Sequence, residues 1–289
     1  MSTPAVLRKK QASMPADQAM AQTGSGLVIG LTTVAIFIAL GEIVPRSGLV
    51  SRVVMPTGGD VVTAFWRLVT GGYWLSHLRA TMTAVGIAWV IGAVLGLFLG
   101  IAMGVSAFTR KVVNPYVIAF QALPKIVLAP LFIGWLGFGA PSKVAIAVVI
   151  CFFPVWVDTM IGLSLPTERE YTFLRALRAS RWQVFRMLQL PSALPLIMVG
   201  LKHAVLLAFT GVLVAEILAA SAGGLGVLAE SYAGQLLMPL TFAVILVVVF
   251  IAVSLVAILD RLEHRIVFWS EAGRARTSIA AIKKEGKGR

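Results

Sequence analysis

Reactive side chains are scarce in these 289 residues, which hold one cysteine, three histidines and 12 acidic residues. A single thiol, Cys151, permits no intrachain disulfide and no cysteine-based metal cluster. The histidines fall at no metal-ligand spacing, and the sequence has no paired carboxylates and no Ser-His-Asp set. No catalytic residue and no metal site is therefore expected. A phosphate-binding loop is missing as well, because Gly139-Ala140-Pro141-Ser142-Lys143 lacks the glycine before its lysine. Charge of either sign is thin, at 13% of residues against about 25% in an average globular protein. No internal repeat is visible, so any two-fold symmetry has to come from a second copy of the chain.

What fills the chain is apolar. The AVILMFWYC set makes up 58% of residues and mean hydropathy is +0.91, more apolar surface than one soluble core of this length can hide. The fold class expected is all-α integral membrane. A bilayer core of about 30 Å takes about 20 apolar residues in helix. Six stretches qualify: 26–44, 81–106, 116–135, 144–164, 197–220 and 241–259. The first reads as a retained span and not as a cleaved signal, since residues 1–25 precede it and Glu42-Ile43-Val44-Pro45 is a poor cleavage site.

Basic residues set the sides. With the N-terminus inside, 18 of the 25 Lys and Arg fall in inside segments, five outside, and two (Lys125 and Lys202) within spans. Six helices with both termini cytoplasmic satisfy that asymmetry. The net charge of +13 then resolves by side: 18 basic against 7 acidic residues inside leave +11, and five against three outside leave +2. Lys125 and Lys202 balance Asp158 and Glu216 within the membrane. The charge thus marks topology and not a nucleic-acid partner. The divisions expected are a disordered cytoplasmic tail (1–25), a first span with an external interfacial helix (26–79), a five-span core (80–267) carrying a cytoplasmic loop at 166–195, and a basic cytoplasmic tail (268–289). The interfacial helix is read from the amphipathic run 61–69.

Two capping boxes punctuate the cytoplasmic loop, Thr167 with Glu170 and Ser180 with Gln183. They predict helices at about 168–178 and 181–189, the second stopped by Pro191 and Pro195. On the first, Phe173, Leu174 and Leu177 share one face while Arg175 and Arg178 share another. Such a helix either lies in the headgroup layer with membrane lipid on its arginines or docks a cytosolic partner. Local chemistry leaves both open.

The run Arg175-Ala176-Leu177-Arg178-Ala179-Ser180-Arg181-Trp182-Gln183-Val184-Phe185-Arg186, continuing to Leu190-Pro191-Ser192-Ala193-Leu194-Pro195, resembles the "EAA" loop of bacterial ABC importer permeases of the nitrate/sulfonate/taurine-type branch. Further likeness lies in Met55-Pro56-Thr57, Ala122-Leu123-Pro124, Ala129-Pro130-Leu131, Phe152-Phe153-Pro154, Ala215-Glu216 and the glycines at 223–226, so it covers about 55–267. The resemblance implies a type I importer permease of the bacterial cytoplasmic (inner) membrane that binds no cofactor itself. ATP would act on two cytosolic ABC ATPase subunits, an extracytoplasmic binding protein would deliver a small solute, and a second copy of the chain would complete a homodimer. Glu168, Glu170, Thr172, Phe173, Leu174, Arg175, Leu177, Arg178, Ala179, Ser180 and Arg181 would form the ATPase-coupling surface. Members of the branch carry sulfonates, taurine, nitrate, cyanate or vitamin precursors. The wording around Lys125 is similar to the vitamin-precursor and aromatic-acid relatives, which implies an anionic or aromatic solute. Two positions depart from the pattern: the family's E-A-A falls on Thr172-Phe173-Leu174, and its loop glycine falls on Arg178. Glu168 or Glu170 is expected to supply the missing acid from a turn earlier, and Arg178 to keep the helix regular.

Ionisable groups inside spans are costly, and each is a functional candidate. Lys125 follows Pro124 in a span that Pro130 also interrupts, so a kink is expected near the midplane. Lys125 would attract an anionic group on the pathway, pair with Asp158 or Glu216, or snorkel towards the cytoplasm. Asp158 would pair with Lys125 or line an inward vestibule. Glu216, near the outer end of its span, is inexpensive there; the resemblance implies a part in an outer gate or in contact with a binding protein. Lys202 and His203 read as interfacial. Gly92, Gly96, Gly100 and Gly104 form a stripe suited to close helix packing. The rival reading is a stand-alone channel or secondary transporter with Lys125, Asp158 and Glu216 as an ion relay, which would have no use for a docking helix.

Overall fold

The computed structural model describes residues 32–33, 39, 41–47, 51, 53–219 and 223–267, and among these there is helix and no strand. Both expected tails and most of the expected first span lie outside the described residues, although 41–46 are helical.

Helix α1 (Gly58–Gly71) begins at a capping box of Thr57 and Asp60 and ends where Gly72 turns left-handed at φ +67°. It is longer than the expected 61–69 and does more than rest in the headgroup layer. Ala64 and Leu68 are buried against Leu225, Leu228, Ala243, Val244 and Val247, while Val62 and Trp66 are exposed on the other face. Helix α2 (Trp74–Gly104) is the first described helix long enough to cross a bilayer.

The next expected span, 116–135, is two helices: α3 (Ala107–Ala122) and α4 (Ala129–Leu136), joined by a 3-10 turn at Lys125–Leu128. The bend between them is 83°, a break where a kink was expected. Its cause is local. Pro124 pushes the residue before it out of helical space, and Leu123 indeed sits at ψ 129°. Then come α5 (Ala140–Gly162), the loop helix α6 (Glu168–Ala176), and α7 (Arg181–Val184), which runs through a π turn at Phe185–Gln189 into α8 (Leu190–Leu218). A helix α9 (Leu225–Gly234) and a long helix α10 (Met238–Ile266) are the last among the described residues. Among the described residues four helical runs are long and apolar enough to span, five if the broken α3–α4 pair counts as one.

Pro191 and Pro195 do not stop the helix. In the π turn the Leu190 N–H reaches back to the Phe185 carbonyl, and this wider register makes room for the Pro191 ring and needs no donor from it. Residues 181–218 therefore form one 38-residue run.

The centre is α2, α5 and α8 packed through small residues: Ala84, Ala88, Ala147, Cys151, Ala204 and Ala208 are all buried there. The glycine stripe of α2 lies on α5. A Cβ at Gly92 would stand 2.5 Å from Cys151 Sγ, one at Gly96 2.7 Å from the Phe152 carbonyl, and one at Gly104 2.7 Å from Leu163 Cβ. At Gly100 it would meet Thr159 Cβ at 2.5 Å. Without hydrocarbon-driven attraction between helices, such close approach is what supplies contact.

Candidate functional site

In the loop expected on the cytoplasmic side, α6 is built by its cap. The Thr167 N–H and hydroxyl both donate to Glu170 Oε2, at 2.6 and 2.8 Å. These two donors pull the Glu170 carboxyl below its usual pKa. Thr172 turns its hydroxyl onto the Glu168 carbonyl at 2.8 Å. Glu168 reaches Arg175 at 3.6 Å in an exposed pair, worth little in water. Phe173 and Leu177 stand 65% and 64% exposed, whereas Leu174 and Ala179 are half-buried. The two large apolar residues are turned outward.

The helix ends earlier than expected, at Ala176, and Arg178 adopts φ +52°. The expectation of a regular helix through Arg178 is thus overturned. The Ala179 N–H bonds the Leu174 carbonyl at 3.1 Å and the Arg178 N–H bonds the Arg175 carbonyl at 2.9 Å, the paired bonds of a Schellman turn. A left-handed non-glycine residue costs about 1–2 kcal/mol. Those two bonds, and the cap that follows at once, offset it. Ser180 donates to Gln183 Oε1 at 2.7 Å and accepts from the Gln183 N–H at 3.3 Å, so the next helix opens two residues after the turn. Arg181 is exposed on its first turn, and Trp182 stacks on Phe185 at 5.6 Å. Gln189 Nε2 donates to Tyr171 Oη at 2.9 Å, tying α6 to the π turn.

The three intramembrane candidates are not brought together; among the described residues no ion pair or hydrogen bond joins any two of Lys125, Asp158 and Glu216. Lys125 opens the 3-10 turn, half-buried, with Nζ 4.8 Å above the Phe153 ring. Asp158 faces His203 Nδ1 at 3.9 Å. Lys202 is not merely interfacial: it joins α8 to α10 through Asp260, at 3.0 Å, and Glu263.

Glu216 contradicts the reading of an inexpensive near-surface acid, for it is fully buried. Its Oε1 accepts from the Thr81 hydroxyl at 2.8 Å and from Lys143 Nζ at 3.1 Å, and its Oε2 accepts from the Gly226 N–H at 2.8 Å. Lys143, expected in an outside loop, is only 4% exposed and also donates to the Gly223 carbonyl at 3.0 Å. Thr81 in turn accepts from the Leu225 N–H at 2.9 Å, and His77 Nδ1 lies 3.0 Å from the Gly224 carbonyl oxygen and 3.2 Å from the Gly224 nitrogen. A glycine is required at 224, where φ is +144° and a Cβ would fall on the Glu216 carboxylate. The cluster clamps the start of α9 to α2, α5 and α8. Sequence reasoning missed Thr81, His77 and Lys143. The available signal was the glycine run 223–226 close after an acid in a span, a run that lets backbone donors approach a buried carboxylate.

Residues 92–268 match the family described as "Binding-protein-dependent transport system inner membrane component". The chain is 32% identical over 218 residues to the riboflavin transport system permease protein of Chloroflexus aurantiacus, covering 75% of this chain and 80% of that protein. It is 35% identical to the formylaminopyrimidine transport permease protein of Halalkalibacterium halodurans, covering 67% and 77%. Against the taurine transport system permease protein of Escherichia coli it is 29% identical, covering 67% and 70%. Its fold is similar to a chain in inward-facing structures of the MetNI methionine ABC transporter, with a TM-score of 0.59 at 19% identity, covering 68% of this chain and 97% of that one.

Proposed function

Since the chain belongs to the binding-protein-dependent transport system inner membrane components, as an ABC importer permease of the sulfonate/taurine-type branch, we propose how its parts serve that work. It is the multi-pass, inner-membrane permease of an ATP-driven importer, and it acts with an ATPase and a binding protein. In our reading two copies form the pathway, each with both termini cytoplasmic, and two ATPase subunits dock on the loops around α6. ATP stays on those partners. The binding protein sits on the outer side, over α1 and α9. The solute is small and either anionic or aromatic, in keeping with relatives named for taurine, riboflavin and formylaminopyrimidine.

One observation carries the docking assignment. Phe173 and Leu177 are held outward at about two-thirds exposure on a helix capped at both ends. Apolar side chains exposed on a rigid cytoplasmic helix suit a partner's groove. The helical run beginning at Arg181, two residues past the Schellman turn, extends 38 residues, about 57 Å at 1.5 Å per residue. It ends beside Glu216 and the outer clamp. Displacement of α6 by closing ATPases would be delivered through this run to the start of α9.

The test is reconstitution with the ATPase and binding protein encoded beside this chain. Phe173→Asp should leave the permease inserted while abolishing stimulation of ATP hydrolysis by loaded binding protein, because the partner's groove would have to bury an unpaired carboxylate. Wild-type uptake without any ATPase would sink the importer assignment.

A further inference from the structure

Of Lys125, Lys143, Asp158, Lys202 and Glu216, all but Lys125 face an acid, a lysine or a histidine partner among the described residues. Glu216 is taken by Lys143, Asp158 faces His203, and Lys202 holds Asp260 and Glu263. Among the described residues Lys125 has no carboxylate within ion-pair distance; its ammonium lies over the Phe153 ring. A ring face is a weak substitute for a counter-ion, and a lysine at membrane depth is sustained only by a polar or water-filled surrounding.

Beside Lys125, at the break between α3 and α4, lies a cavity of about 410 Å³ with apolar walls, bounded by Lys125, Tyr116 and Phe120 on one side and by Phe152, Phe153 and Trp156 of α5 on the other, which supplies no counter-ion of its own. The size falls within the range of about 300–1,000 Å³ typical of small-molecule sites. Phe152, Phe153 and Trp156 form a continuous aromatic surface: Phe152 stacks on Trp156 at 5.8 Å and 17°, and Phe153 lies 4.1 Å from Phe152. Phe120 faces Phe153 at 6.4 Å. The indole N–H is already used, donating to Met103 Sδ at 3.0 Å, so Trp156 offers only its ring. These residues lie near the middle of α5, where a transport pathway's binding site belongs.

Resting on the importer reading, we propose that this cavity binds a small planar aromatic anion, with Lys125 as its counter-ion and the rings of Phe120, Phe152, Phe153 and Trp156 as its walls. Flat rings supply stacking surface for one face of the ligand and the lysine fixes its charged end. An acyl chain would use the walls but leave the ammonium unpaired; an aliphatic anion would use the lysine but not the walls.

The experiment uses the full chain in nanodiscs of zwitterionic phospholipid, titrated with naphthalene-2-sulfonate and followed by saturation-transfer NMR. Saturable binding is expected. Lys125→Met should weaken it about tenfold or more, the usual consequence of losing a charge-assisted contact, while Lys125→Arg keeps it. Phe120→Leu, at a half-exposed ring, should weaken it without disturbing the packed core. Naphthalene-2-sulfonamide and cyclohexanesulfonate, lacking the charge or the flat ring, should bind at least about tenfold more weakly. Equal binding by Lys125→Met or by cyclohexanesulfonate would overturn the proposal. Displacement of the probe by phosphatidylglycerol in the disc would also overturn it and make the cavity a lipid site. Coupling to the ATPase is read separately. A chain that couples but does not bind refutes this site alone, and one that binds but never couples refutes the importer reading while the site stands.

Discussion

At the scale of single residues the most consequential group is Glu216, because a carboxylate with no exposed surface has to be paid for by its partners. Lys143 supplies the charge, and Thr81 and the Gly226 N–H supply hydrogen bonds. Removing one member of such a pair leaves an uncompensated buried charge, which costs about 3–5 kcal/mol. Lys143→Met should therefore lower the thermal unfolding midpoint of the purified chain markedly, as followed by tryptophan fluorescence in nanodiscs. Adding Glu216→Gln to it should recover part of the loss, since Gln carries no charge and its one amide oxygen still accepts from the Gly226 N–H. Equal midpoints for the wild type and Lys143→Met would mean that the ion pair contributes nothing. The same physics explains why this site was hard to read in the sequence. Lys143 and Glu216 are 73 residues apart, and nothing local to either residue announces its partner.

At the scale of elements, what the sequence made legible is what is settled within four residues. Both loop capping boxes form because each is a Ser or Thr three residues before a Glu or Gln. The helix stop expected at Pro191 fails because a π turn absorbs the proline, and a π turn has no reliable sequence mark. Arg178 was misjudged for a related reason. The Schellman turn is imposed by the approach of the next cap and overrides the residue's own reluctance to turn left-handed. The cap of α6 carries a pH dependence whose sign is fixed. Hydrogen bonds from Thr167 hold the folded Glu170 pKa below the ordinary 4.5. Its contribution is thus fully present above about pH 4.5 and is lost as pH falls through the lower folded value. Amide protection factors across 168–176 should fall over that window in the wild type. In Glu170→Gln, which keeps an acceptor but cannot titrate, they should stay level. A parallel decline in both would place the pH effect elsewhere.

At the scale of the whole molecule, span number and sidedness rest on different evidence. Spans followed from hydropathy, and α2, α5, α8 and α10 lie within several residues of the expected stretches. The exception is the broken α3–α4 pair, where proline geometry outweighs apolar length. Sidedness came from the distribution of basic residues and constrains every functional statement, because α6 can meet an ATPase only if it is cytoplasmic. The chain offers an unusually clean way to test it. Its one thiol, Cys151, is fully buried beneath Ala88 and Gly92, so a membrane-impermeant maleimide should leave the wild type unlabelled. A cysteine placed at Trp66, exposed on α1, should label in right-side-out vesicles. One placed at Arg169, exposed on α6, should label only after the vesicles are inverted. Helix parity then fixes every other connection, since each crossing reverses the side: the turn between α2 and α3 falls with Arg169, and the α4–α5 turn and α9 fall with Trp66. Labelling of Arg169→Cys from the outside would reverse the orientation, place the clamp of Glu216 on the cytoplasmic face, and remove the ATPase from reach of Phe173.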